Sequence, residues 1–168
     1  MHYEQSIVQK GHKALSSKAT EVALSDIPTP EFQEMLAIMH RLLKNEYDGV
    51  ALAAPQIGAS LRLFVVAPRA FRKLHPLEPL VYINPTITKR SKQTKTMEEG
   101  CLSVRGLYGK TVRHVSVTVT AYNERGQKFT RDGTGLLAHI FQHEIDHLDG
   151  ILFCDHAVDI EEIEIPKK

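Results

Sequence analysis

Cysteine is scarce in this chain: only Cys101 and Cys154 occur among its 168 residues. Two cysteines do not make a disulfide framework, and the length suffices to bury a core without one. Long hydrophobic runs are missing as well. No stretch is apolar for long enough to span a bilayer, and no apolar N-terminal run resembles a secretory leader. Charge of one sign is also lacking. The 21 Lys and Arg against 20 Asp and Glu leave a formal net charge of +1. No overall field therefore draws the chain to nucleic acid or to a membrane. The one basic cluster, Lys89 to Lys95, reads as a solvated loop. Repeats and internal linkers are absent. What is present is an ordinary globular balance, 42 % hydrophobic and 24 % charged, which predicts a single domain over 1–168. A reducing cytoplasm is the expected compartment, where Cys101 stays a thiol unless a metal claims it. An organelle is the alternative if a transit peptide has been removed.

The first two dozen residues carry weak signals. Thr29 and Pro30 then mark a helix start, and Met35, Ile38, Met39 and Leu42 follow at helical spacing to about Lys44. Asp48 to Ser60, rich in Gly, Ala and Pro, predicts a loop or irregular strand. Leu63 to Ala67 reads as a buried strand, and Leu80 to Ile87 as another, broken by Asn84-Pro85. The clearest strand runs from Val112 to Ala121, where Val115, Val117, Val119 and Ala121 alternate with polar residues. A turn at Asn123 to Gly126 returns Gln127 to Thr130 as a hairpin. Thr134 is positioned to cap a last long helix, which Asp149-Gly150 ends. Strands arriving in hairpins predict an α+β fold, mainly antiparallel sheets around a long central helix.

That helix carries His143-Glu144-Ile145-Asp146-His147, an H-E-x-x-H sequence. Residues four apart share one helix face, so two imidazoles can meet one ion. Glu144 lies about 100° further round the axis. It suits a general base acting on a water better than a third ligand. Leu136, Leu137, Ile140, Phe141, Ile145 and Leu148 make the rest of the helix apolar, so it must be largely buried. Burying two histidines and a glutamate there without partners is costly, and a metal removes that difficulty. His139 is one turn further back. Three histidines over two turns span roughly 12 Å, too far for one ion. His139 therefore lines the adjoining pocket or is a satisfied core histidine.

A third ligand must come from elsewhere, and Glu98-Glu99-Gly100-Cys101-Leu102-Ser103 is the best source. Gly100 permits close backbone approach, and Cys101 offers a thiolate. Cys154 reads as a small packed hydrophobe. Three protein ligands with an open fourth position are a catalytic arrangement. In Gly49 to Gly58, small residues let a ligand approach the backbone. Gln56 there offers an amide N–H to a developing oxyanion.

Three segments in order, Gly49–Gln56 (GVALAAPQ), Glu99–Ser103 (EGCLS) and His143–His147 (HEIDH), resemble the peptide deformylase family. Its motifs are G-x-G-x-A-A-x-Q, E-G-C-x-S and H-E-x-x-H. The resemblance covers about Ile7 to Phe153. It implies metal-dependent removal of the formyl group from the N-terminal formylmethionine of nascent chains, with the ribosome as the expected setting. It implies Cys101, His143 and His147 as ligands of one divalent ion, Fe²⁺ in the cell, with Zn²⁺, Ni²⁺ or Co²⁺ able to take its place. By the same resemblance Glu144 is the acid/base, and Gln56 and the N–H of Leu102 hold the oxyanion. Val50, Ala51, Gly100 and Leu102 contact the peptide, which joins as an added strand, and His139 and Ile140 line the side-chain pocket. Glu99 supports its loop, paired with Arg113. The chain departs from the family pattern at three places. Ala51 replaces the second glycine of the first motif, Arg105 stands where proline is usual, and His139 puts a polar group beside the methionine pocket. A related amidase or peptidase with a shifted substrate is the alternative function.

Overall fold

The computed structural model describes residues 2–71, 78 and 80–163. Thr29 starts the first helix as its sequence predicts: its hydroxyl accepts from Phe32 N at 3.4 Å, and Pro30 opens α1, Pro30–Asn45. Phe32, Met35, Leu36, Ile38, Met39 and Leu43 form its buried side. Eight strands follow in chain order: β1 (Ala51–Ala53), β2 (Leu63–Val66), β3 (Val81–Arg90), β4 (Thr94–Cys101), β5 (Val104–His114), β6 (Ser116–Tyr122), β7 (Lys128–Thr134) and β8 (Val158–Glu162). Helix α2, Gly135–Leu148, lies between β7 and β8 in sequence.

The strands make two antiparallel sheets, ordered β1-β2-β3-β6-β7 and β4-β5-β8. The fold is α+β with antiparallel sheets. Strand β2 shows why it reads as an unbroken apolar run. Leu63 and Val65 face the cluster of α1, while Phe64 and Val66 face that of α2. The β1–β2 side of the large sheet is thus covered on both faces, while β6 and β7 alternate buried and open positions. Phe64 stacks on Tyr82 at 4.8 Å, and Phe141 of α2 packs against Tyr82 at 5.1 Å, which seats the helix on the sheet.

Four local expectations need correction. The alternation from Val112 to Ala121 belongs to two strands, not one. The chain bends at Val115 and passes from the small sheet to the large one. Before the bend the odd-numbered positions stay inside but the chemistry is reversed: Thr111 and Arg113 are buried and Val112 is 64 % exposed. Asn84-Pro85 does not break its strand. Asn84 takes φ 49° in a bulge, and its amide pairs with both backbone groups of Val22, at 2.8 and 2.9 Å. Thr134 does not cap α2 with its side chain; it is extended, and the helix starts at Gly135. Lys89 and Arg90 end β3 and Lys95 is the second residue of β4, so only the connection at 91–93, with Lys92, is the expected exposed loop.

Other expectations match. Asn123 Oδ1 accepts from the N–H groups of Arg125 and Gln127 and forms the hairpin turn. Gly150, at φ 76°, ends α2. The tail joins the small sheet as β8. The weakly patterned N-terminus binds the two loops that matter below: Val8 N donates to Gln56 O at 2.9 Å and Lys10 N to Ser103 O at 2.8 Å. Among the described residues no helix is long and apolar enough to cross a membrane.

Candidate metal centre

His143 and His147 project from successive turns of α2, with ring centroids 4.9 Å apart. Cys101 ends β4. The register shifts there, so that Cys101 pairs with Val104 across a tight turn. This brings its thiol to the histidines, 3.2 Å from His147 Nε2. One ligand atom from each of Cys101, His143 and His147 lies within 4.8 Å of the others. A thiolate and two imidazoles are donors of a catalytic transition-metal site.

Glu99 organises the cluster. Burial alone would raise its carboxyl, but hydrogen bonds from His139, His143 and Arg113 hold it far below the ordinary carboxylate range. Its Oε1 accepts from His143 Nδ1 at 2.5 Å and Arg113 Nη2 at 2.6 Å. Its Oε2 accepts from Thr111 Oγ1 at 2.5 Å, Arg113 Nε at 3.1 Å and His139 Nε2 at 2.8 Å. A carboxylate only accepts, so His143 carries a proton on Nδ1; against the effect of burial, its hydrogen bonds to Cys101 and Glu99 hold the ring well above the ordinary histidine range, and an ion would take Nε2 in exchange for a proton. Arg113 also reaches Asp146 of α2 at 2.6 Å.

Two buried atoms at the cluster lack partners among the described residues, Glu144 Oε2 and His147 Nδ1. Burial pushes the Glu144 carboxyl up to about 7, against the pull of His143. Burial likewise holds His147 below the ordinary histidine range. A neutral, desolvated His147 beside a thiol and a tautomer-fixed His143 fits a bound divalent ion.

The centre opens into a cleft of about 470 Å³. Gln56, Cys101, His143 and Glu144 reach it, and Val50, Ala51, Gly100, Leu102, His139 and Ile140 all line it. His147 lies beneath, 1 % exposed. Gln56 is clamped in a short buried turn, Ala54–Ile57. Its Oε1 accepts from Ala53 N at 2.8 Å, and its Nε2 donates to Ser103 Oγ at 3.1 Å and approaches Cys101 Sγ at 3.6 Å.

A model of the polypeptide deformylase family matches residues 4–162. The chain belongs to the polypeptide deformylase family. Among its relatives, a peptide deformylase of Desulforudis audaxviator is 40 % identical over 154 residues, covering 92 % of this chain and 94 % of that protein. The chloroplastic peptide deformylase 1A of Solanum lycopersicum is 34 % identical, over 95 % of this chain and 64 % of that longer protein. The peptide deformylase structure from Thermotoga maritima superposes with a TM-score of 0.80 at 32 % identity, covering 93 % of this chain and 99 % of that one. The actinonin-bound class I type b peptide deformylase of Acinetobacter baumannii gives 0.81 at 32 % identity, over 90 % and 97 %. The activity of deformylases is hydrolytic, metal-dependent removal of the formyl group from an N-terminal formylmethionine.

Several residues of this deformylase site escape motif reading. Thr111 and Ser103 hold Glu99 and Gln56. Ser103 ends the EGCLS segment, but its bond to Gln56 joins positions 47 apart. Arg69 donates to the carbonyls of Leu43 at 3.0 Å, Glu46 at 2.6 Å and Gly49 at 2.8 Å, tying down the segment before Val50. Arg105, the unusual residue after Val104, forms a two-point ion pair with Glu46 at 2.7 and 3.2 Å, and both line the cleft. His139 combines its two expected roles, lining the cleft and bonding to Glu99. Cys154 is half-buried and accepts from Lys10 Nζ at 3.3 Å.

Proposed function

We propose that residues 1–168 form one catalytic domain that deformylates nascent polypeptides, with Cys101, His143 and His147 holding the metal and Glu144 acting as base. The observation that carries this reading is the convergence of three ligand atoms within 4.8 Å beside a buried, unpartnered Glu144 oxygen. A divalent ion held there supplies Lewis-acid activation of water near neutral pH. Glu144 takes the proton of the attacking water and passes it to the leaving amine. As the water oxygen bonds to the formyl carbon, Gln56 Nε2 and the backbone N–H of Leu102 donate to the oxyanion that forms, which collapses as the C–N bond breaks. Formate and a free α-amine leave.

The peptide joins as an extended strand between Val50 and Ala51, at the start of β1, and Gly100 of β4. Both are end strands of their sheets, and these residues line the cleft. Leu102, His139 and Ile140 surround the first side chain. The mixed thiolate and imidazole set suits Fe²⁺, and also Zn²⁺, Ni²⁺ or Co²⁺. The expected place is the cytoplasm, at or near the ribosome, without direct contact to nucleic acid; an organelle is the other setting. A shifted preference for the first residue is the second reading, favoured by the imidazole of His139 in the cleft wall.

The test is formate release by the Fe²⁺-loaded protein under anaerobic conditions. Formyl-Met peptides should be hydrolysed, acetyl-Met peptides should not, and formyl peptides with other first residues should lag. No formate from formyl-Met peptides overturns the reading. Equal rates for other first residues favour the second one.

A further inference from the structure

His139 lies one helical turn before His143, and the two rings grip opposite oxygens of one carboxylate. His139 Nε2 donates to Glu99 Oε2 at 2.8 Å and His143 Nδ1 to Glu99 Oε1 at 2.5 Å. Glu99 stands on β4 of the small sheet, and both histidines stand on α2. The carboxylate is therefore a junction between sheet and helix. From the sheet side it is held by Thr111 and Arg113. From the helix side it has two tethers.

Two tethers behave differently from one. With His143 alone, Arg113 and Thr111 still hold both oxygens from the sheet, but a single hydrogen bond ties the carboxylate to the imidazoles of the helix, and the ring can turn about it. With His139 on the second oxygen, swinging Oε1 away from His143 must also break the bond at Oε2. The carboxylate plane, set from the sheet by Arg113, is then also locked to α2 from two turns, and with it the direction of His143 Nε2. His139 is only 13 % exposed in its side chain, yet it lines the cleft. A group that touches the substrate wall is thus one hydrogen bond from the support of a ligand.

We propose that His139 is a positioning residue: through Glu99 it holds the His143 ring in the orientation that binds the metal, and it couples the cleft wall to the centre. This rests on the ligand assignment proposed above. Partners of ligands commonly change metal affinity or activity 10–100-fold when lost, roughly. Here the loss is partial, because Thr111 and Arg113 keep Glu99 in place.

The experiment uses the full chain loaded with Co²⁺, whose visible bands report ligand geometry. H139L removes the donor at similar volume. H139Q keeps an amide donor of similar reach. H139N carries an amide too short to reach Glu99. The readouts are the Co²⁺ spectrum, Co²⁺ release to a chelator, and kcat and KM on a formyl-Met peptide. H139L and H139N should release Co²⁺ about tenfold faster, with shifted bands and a lower kcat at little changed KM, and H139Q should return release to within about twofold of the parent. If H139L does not fold, H139N carries the comparison. Parent-like spectra and release in H139L or H139N, whatever happens to KM, reduce His139 to a wall residue and overturn the proposal. A parent protein that binds Co²⁺ but releases no formate would instead refute the deformylase reading, and the comparison of release rates would still decide this one.

Discussion

Glu144 is where function and stability pull apart. It is 4 % exposed, one oxygen has no partner, and its carboxyl is pushed up from 4.5 to about 7. An acid raised in the folded state holds a proton there that the unfolded chain has already lost. The metal-free protein therefore loses stability as pH rises from about 4.5 to about 7. E144Q removes that slope. Above pH 7, metal-free E144Q should be more stable than the parent by on the order of 3 kcal/mol, read from denaturant midpoints. The same variant should keep its metal and lose turnover by about 10²–10⁴-fold, checked by metal content and formate release. C101S should show the opposite pattern of cause, a weakened affinity for the ion with the base intact. At this scale the sequence was most informative. Cys101, His143, Glu144 and His147 announce themselves because their chemistry depends on residue type and short spacing. Thr111, Ser103 and Arg69 do not, since they act through bonds between residues far apart in sequence.

Elements were less evenly legible. Helix α1 could be read because its cap, its proline and its apolar spacing agree. The run Val112 to Ala121 misled because alternation records which side is buried, not which sheet a strand joins. Its polar partner Arg113 is inside only because Glu99 and Asp146 receive it. Two elements carry predictions. A methyl on Gly133 of β7 would lie 2.9 Å from two ring carbons of Phe141 and 3.1 Å from Ala138 N. Phe141 is fully buried against Phe64 and Tyr82 and has nowhere to go. G133A should cost about 1–3 kcal/mol, seen as a lower Tm. Arg69 acts on the segment after α1. R69A should free the carbonyls of Leu43, Glu46 and Gly49 and loosen the wall that leads to Val50. Steady-state kinetics should show a raised KM with kcat nearly kept.

At the scale of the whole molecule, the centre joins what the topology separates. Cys101 comes from the small sheet, Gln56 from the turn after β1 of the large one, and the histidines from the helix. An ion bound to that set favours the folded chain by mass action. At a free concentration about 100 times the Kd, the gain is about 2.7 kcal/mol. Zn²⁺ should therefore raise the Tm of metal-free protein by several degrees, and C101S should blunt the rise. A Tm indifferent to Zn²⁺ would separate the three side chains from metal binding.

The cleft between β1 and β4 also bears on solubility. Among the described residues, each of these strands has a neighbour on one side only. A bare strand edge templates pairing with other chains, the first step of aggregation. Here β1 is three residues long and wholly buried, and β4 carries exposed Lys95 and Glu98. Short length, recess and charge keep both edges from unwanted partners while leaving room for one extended peptide. The groove that would admit a nascent chain is therefore guarded against self-association, and a charge-removing change at Lys95, which lies outside the cleft lining, should be felt first as precipitation at high protein concentration rather than as lost turnover.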